Sequence, residues 1–165
     1  MTVDQKAAPE PEHSKVVVFP PVIPLAGFLL GVALGVVWPT APLMSDSLRL
    51  ALRVIGGGLF CVGVAGFVWM VVTMRKAGTP IHNAKTPTAL VETGPFGFTR
   101  NPMYLFGQTG YAGLALLLMQ LWSLALLPAV FAVTHYGVVL REEVFLERKF
   151  GAAYKKYQSR VRRWM

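Results

Sequence analysis

Charge is scarce in this sequence. Only 15% of its 165 residues are Asp, Glu, Lys or Arg, against about 25% in soluble domains, while 54% are hydrophobic. With a mean hydropathy of +0.50, this composition argues against a surface solvated wholly by water and for one solvated largely by lipid. Cysteine is scarcer still. Cys61 stands alone among apolar neighbours, so an internal disulfide and a cysteine metal centre are both excluded; it is read as a packing residue, and no metal site is expected. Acidic residues are few as well, eight against sixteen basic ones, for a formal charge of +8. Eight of the basic residues lie from Arg141 onward. They are interleaved with apolar residues at helical spacing, which favours an anionic membrane surface over nucleic acid as the partner.

Residues 1–15 are polar and contain Pro9 and Pro11, the composition of a disordered tail. The remainder, 16–165, is the length of one domain. Three apolar stretches are found in it. The first, Val16 to Trp38, begins too late and runs too long for an ordinary signal peptide, ends in no recognisable cleavage site, and is expected to be retained. Pro20, Pro21 and Pro24 place the start of its regular helix near Pro24, and Gly27, Gly31 and Gly35 share one face. The second, Val54 to Met74, carries Gly56, Gly57, Gly58, Gly63 and Gly66. The glycine face of the first span is its expected partner, since small residues let helix backbones approach closely. The third, Met103 to Leu140, is about 57 Å long as one helix, roughly twice the hydrocarbon thickness. It must fold back, near Gln120 to Ser123.

The expected fold is therefore an all-α integral membrane protein. It has about four transmembrane helices, including a C-terminal hairpin, and an amphipathic helix after Arg141. Four crossings put fourteen of the sixteen basic residues on the side of both termini, leaving Arg49 and Arg53 opposite. The positive-inside rule makes that side cytoplasmic, as in a bacterial inner membrane. The tail's apolar residues Leu146, Phe150, Tyr154, Tyr157, Val161 and Trp164 suit either a helix lying on the membrane or a lid folded over the loop at 77–101. That loop, with Pro80, Pro87 and Pro95, is long enough to expect function in it.

Two segments carry chemistry. In the first, Gly94-Pro95-Phe96-Gly97-Phe98-Thr99-Arg100-Asn101-Pro102-Met103-Tyr104, Asn101 and Pro102 have the pattern of an N-cap and a first helical residue. The helix they open offers free N–H groups to an anion such as a carboxylate; the plainer role is that Asn101 only caps and Arg100 only anchors at the headgroups. In the second, Glu142 and Glu143 precede Leu146, Phe150-Gly151, Tyr154 and Tyr157. Carboxylates at membrane depth serve a partner or a substrate, and a sulfonium or amino group suits them; the plainer role is a salt bridge to Arg100 or Arg141. Gln108, Thr109, Tyr111, Thr134, His135 and Tyr136 are polar groups within the hairpin, suited to an acceptor route or simply to packing hydrogen bonds.

Together these segments resemble the signature of the isoprenylcysteine carboxyl methyltransferase and phospholipid methyltransferase superfamily. That signature is an Arg-His/Asn-Pro-x-Tyr element followed by Glu-Glu-x-x-Leu-x-x-x-Phe-Gly-x-x-Tyr-x-x-Tyr. The resemblance covers roughly Thr79 to Trp164. It implies an integral membrane methyltransferase that takes S-adenosyl-L-methionine as cofactor and a lipophilic or lipid acceptor as substrate, with the cofactor-binding half at 79–165. It also implies that Thr88, Ala89, Leu90, Val91, Phe96, Asn101, Pro102, Met103, Tyr104 and Glu142 bind the cofactor. Arg100 and Glu142 are the catalytic candidates. Periodicity favours Glu143 and the resemblance Glu142; because Gly151 can break the helical phase, Glu142 is preferred.

The chain departs from the carboxyl methyltransferases in two places. Asn101 stands where they have His, and Val138 where they carry an Arg suited to a substrate carboxylate. A carboxylate, an amine and a thiol therefore all remain open as acceptor. The rival classes are an NADPH-dependent membrane reductase of the sterol type and a non-catalytic scaffold of the same fold.

Overall fold

The computed structural model describes residues 21–40, 44–79 and 88–165. The expected disordered tail, the first residues of the first span and the stretch 80–87 of the proline-bearing loop lie outside them. Every regular element among the described residues is helical: α1 (Val22–Val37), α2 (Asp46–Lys76), a 3-10 turn (Gly94–Gly97), α3 (Pro102–Leu117), α4 (Leu121–Thr134), a π-helical turn (His135–Val139), α5 (Leu140–Phe150) and α6 (Ala152–Arg160). α2 and the unbroken rod from Leu121 to Phe150 are long and apolar enough to cross a membrane. α1 and α3 have 16 residues each, about 24 Å. Leu25, Leu29, Val54, Val62 and Val68 are all more than half exposed, a surface that acyl chains cover at no cost and water would not.

Local chemistry sets the ends. α1 begins at Val22, slightly ahead of expectation, and Pro24 falls in its first turn, where a missing N–H costs nothing. α2 is capped by the Ser45 hydroxyl, which accepts from the Leu48 N–H, and it has Asp46 in its first turn and Arg75 and Lys76 in its last. Each charge opposes the helix dipole at its own end. The hairpin reverses at Leu118 to Gln120, just before the expected position. Met119 there adopts φ +57°, and the Gln120 N–H reaches back to the Ala115 carbonyl at 2.7 Å.

The helices pair differently from the expectation. α2 packs along α3, and α1 along α4. A Cβ on Gly63 would lie 2.5 Å from the Gly110 nitrogen and 2.6 Å from its Cα. Gly56 meets Leu117 and Gly113 in the same way, and Gly113 meets Phe60. The glycine face of α1 abuts Val130, Ser123 and Gln120 of the hairpin, and the Ser123 hydroxyl donates to the Phe28 carbonyl at 3.0 Å. The expectation failed because glycine faces encode close approach but not the identity of the partner, and α3 brings Gly110 and Gly113 of its own.

This pairing gathers the start of α1, the end of α2, the start of α3 and the π turn at one end. Arg49 and Arg53 lie towards the other. The site is built at the first end.

Gly63→Ala is expected to lower the thermal midpoint of the detergent-solubilised protein, by an overpacking cost of about 1–3 kcal/mol. Gly58→Ala, whose Cβ meets nothing within 4 Å, should leave it unchanged or raise it. Equal midpoints for the two variants would show that the α2–α3 contact is not as close as described.

Candidate active site

A buried carboxylate organises this end. Glu143 is 6% exposed and meets two guanidinium groups. Arg100 Nη2 lies 3.3 Å from Oε1. Arg163 donates from Nε to both oxygens at 3.1 Å and from Nη2 to Oε2 at 2.9 Å. Asn101 Nδ2 adds a bond to Oε1 at 3.4 Å and one to the Arg163 carbonyl at 3.1 Å. Asn101 thus occupies the position before α3 but does not cap it with its side chain; the amide serves the carboxylate and the tail instead. The salt bridge expected as the plainer role for the acidic pair is realised, by Glu143 with Arg100.

The same region ties down the tail. Residues 140–160 form not one amphipathic helix but two, split at Gly151, whose φ of +53° is open to glycine at little cost. α6 then folds across the loop, as a lid does. The Tyr157 hydroxyl donates to the Phe96 carbonyl at 2.7 Å, the Thr99 hydroxyl to the Arg163 carbonyl at 3.1 Å, and the Arg100 N–H to the Arg162 carbonyl at 3.0 Å. Arg160 pairs with Glu92. Burial pushes the Tyr154 and Tyr157 hydroxyls above the ordinary phenol range, so both stay protonated donors at any physiological pH. Hydrogen bonding to Glu143 holds Arg163 more firmly protonated than usual.

Between loop, tail and helices lies a cavity of about 120 Å³. Glu142, Leu146 and Phe150, spaced by four, all line it. Glu143, one position further round the helix, faces the ion-pair node instead. The π turn accounts for this phase. One extra residue rotates the rest of the rod by about 100°, turning Arg141 outward and both carboxylates inward. Across the cavity the Tyr104 hydroxyl donates to Glu142 Oε2 at 2.9 Å.

Of the residues singled out from sequence, Ala89, Leu90, Val91, Phe96, Arg100, Asn101, Pro102, Met103, Tyr104 and Glu142 line this one cavity. Thr88 does not. Its hydroxyl donates to the Gly78 carbonyl at 3.1 Å, beside Thr79, which does line it. Sequence reasoning missed Met70 and Met74, which α2 contributes one turn apart, and it treated Leu146, Phe150, Tyr154 and Tyr157 as motif rather than wall. The i,i+4 spacing of Met70 and Met74 was the available signal. Among the hairpin's polar groups, Thr109, Tyr111 and Thr134 make packing hydrogen bonds to backbone carbonyls, and none of the six lines the cavity.

Arg163→Ala is expected to weaken the docking of the tail. Glu143→Ala should go further, costing about 3–5 kcal/mol, because it strands the buried guanidinium of Arg100. Thermal unfolding and protease cutting within 152–165 measure both effects. An intact, protease-resistant tail in Glu143→Ala would contradict the node's role.

A family model described as phospholipid methyltransferase matches residues 52–153. The chain is 30% identical over 96 residues to the nickel-cobalt-cadmium resistance protein NccN of Alcaligenes xylosoxydans xylosoxydans, covering 58% of this chain and 45% of that protein. It is 42% identical over 57 residues to an uncharacterized protein of Haemophilus influenzae, covering 32% of this chain and 90% of that one. The chain therefore spans less than half the length of NccN. No solved structure matches it significantly. The family match takes in both cavity-lining segments, Arg100 to Tyr104 and Glu142 to Phe150, and the chain belongs to the phospholipid methyltransferase family of membrane-associated methyltransferases.

Proposed function

We propose that this protein transfers a methyl group from S-adenosylmethionine to a lipophilic acceptor held in the membrane. The observation that carries the reading is the 2.9 Å bond between Tyr104 and Glu142. It joins two segments that are 38 positions apart on opposite arms of the hairpin, and both residues line one cavity. The cavity's chemistry fits the cofactor. Leu90, Val91, Leu146 and Phe150 offer apolar surface for an adenine, and Glu142 offers a carboxylate to the amino and sulfonium charges. Arg100 adds a guanidinium whose buried Nε has no hydrogen-bond partner, a donor suited to the cofactor's carboxylate. When bound, S-adenosylmethionine supplies a methyl group already activated for direct displacement. What remains for the protein is to orient the acceptor and to exclude water. The tail closed over the loop does the second, and Tyr104 fixes the rotamer of the Glu142 carboxylate that holds the cofactor.

The acceptor reading can be narrowed. A carboxylate acceptor needs a cation of its own, yet Val138 is 1% exposed and packed with Tyr104 and Val139, and Arg100, whose Nη2 pairs with Glu143, has only its Nε left, which the cofactor's carboxylate takes. An amine or a thiol suits this environment better. The reductase alternative is disfavoured on the same ground, since Arg100 is the sole basic residue lining the cavity among the described residues, too little for a cofactor rich in phosphate. Four crossings with the site end facing the cytoplasm complete the reading, supported by the basic residues gathered there.

Calorimetric titration with S-adenosylhomocysteine tests the site. Glu142→Ala and Tyr104→Ala should abolish binding while the protein stays folded. Tyr104→Phe should weaken it by about 10- to 100-fold, the value of a hydrogen bond to a charged group. Unchanged affinity in both alanine variants, or binding of NADPH in place of S-adenosylhomocysteine, rejects the reading. Incubation of membranes with methyl-labelled S-adenosylmethionine then distinguishes amine from thiol products.

A further inference from the structure

At the end of the bundle away from the candidate active site lies a second cavity, of about 330 Å³. α1 packs on α4 and α2 on α3, and this cavity forms where the two pairs part. Val36 of α1 and Thr40 beyond it make one side, Arg53 of α2 another, and the hairpin reversal closes the third with Leu118, Gln120 and Trp122. Three of these side chains carry donors with nothing to bind. The Arg53 guanidinium, the Thr40 hydroxyl and the Gln120 amide make no side-chain hydrogen bond or ion pair among the described residues. Arg53 is exposed, so a ligand can reach it.

Charge narrows the ligand. Arg49 and Arg53 are the basic residues at this end, on the side of a membrane where basic residues are disfavoured. Arg49 is answered, because its Nη2 lies 3.1 Å from Asp46 Oδ1. Asp46 is the sole acidic residue from position 13 to position 91, and none occurs from 93 to 141. No carboxylate of this end is left for Arg53, which brings an unbalanced positive charge to the cavity. Depth narrows the ligand further. The Trp38 and Trp122 rings lie 6.5 Å apart, and Trp122 Nε1 donates to the Trp38 carbonyl at 2.8 Å. Tryptophans at the ends of apolar helices mark the headgroup level of a bilayer, where lipid phosphates lie. Val36 and Leu118, both more than half exposed, add apolar surface beside the donors. A guanidinium fork with a hydroxyl and an amide suits phosphate oxygens, whereas a headgroup ammonium would find no carboxylate here.

We propose that this cavity binds the phosphate of an anionic phospholipid, such as phosphatidylglycerol, from the leaflet opposite the candidate active site. Arg53 is the principal contact, and Thr40 and Gln120 are further donors. This lipid is not the methyl acceptor, since it sits at the far end of the helices, and its binding does not depend on the methyltransferase reading. By bridging Thr40 to Arg53 it joins the α1–α4 pair to the α2–α3 pair, at the end that lacks the ion-pair node of Glu143.

The experiment uses the full chain in dodecyl maltoside micelles with subsaturating phosphatidylglycerol that carries a diazirine close to its headgroup. Crosslinks are mapped by peptide mass spectrometry and are expected at residues 35–40 and 118–122. Arg53→Gln should lower labelling there about 10- to 100-fold, the value of a hydrogen bond to a charged group. Thr40→Val, which keeps the side chain's shape, should lower it about tenfold. Both variants remove groups that hold nothing else among the described residues, so both should keep the wild-type thermal midpoint measured without lipid. Lys156→Gln, the same loss of charge at the other end, should leave labelling at these residues unchanged. Phosphatidylethanolamine with the same diazirine should label them about tenfold less. Undiminished labelling in Arg53→Gln and Thr40→Val, or equal labelling by the ethanolamine lipid, would overturn the proposal. So would full competition by millimolar inorganic phosphate, which would mark a site for the free anion and not for a lipid.

Discussion

The site end depends on one carboxylate kept out of water. Glu143 is tolerable at its depth only because Arg100, Arg163 and Asn101 satisfy it together, and these partners come from two segments other than its own. Arg100 and Asn101 come from the loop that leads into α3, Glu143 from the rod that returns across the bundle, and Arg163 from the stretch after α6. A buried ion pair adds little to net stability, yet breaking it is costly. Its effect here is to tie three segments of the chain to one buried point.

The two adjacent acidic residues divide their labour accordingly. Glu143 is fully engaged by the protein, whereas Glu142 keeps one oxygen on Tyr104 and still faces the cavity. The difference between them is one step of about 100° around a helix, which the π turn sets. A groove lined by Leu25, Phe28, Phe60, Val64 and Phe67 arises from the helix pairing in a similar way. Once the glycines of α2 are committed to α3, α1 can reach only the hairpin's other arm, and a gap is left between the first two helices.

Much of this was legible in the sequence. The apolar stretches, the hairpin, the Asn101-Pro102 start of α3 and the membership of one cavity by Tyr104, Glu142 and the residues at 89–91 could be read from hydropathy, capping chemistry and motif. Other features were not, for physical reasons. No residue pattern announces the π turn at His135–Val139. The partner of a glycine face is chosen by the shapes of all the helices present. Asn101 has the residue type of a cap, but a stronger demand for its amide, from Glu143 and the Arg163 carbonyl, wins. Gly151 signalled a break in the tail, and only the three-dimensional structure shows that the break lets α6 cross the loop.

The contribution of residues 154–163 to the cavity wall and the ion-pair node bears on how the protein matures. The helices α1 to α4 can pair through their glycines while the tail is still on the ribosome. The pocket has no roof until Tyr157 and Arg163 have been synthesised and have found the loop at 96–101. Helix pairing therefore precedes closure of the cavity, and a nascent chain with α1 to α4 already packed has yet to acquire an enclosed site.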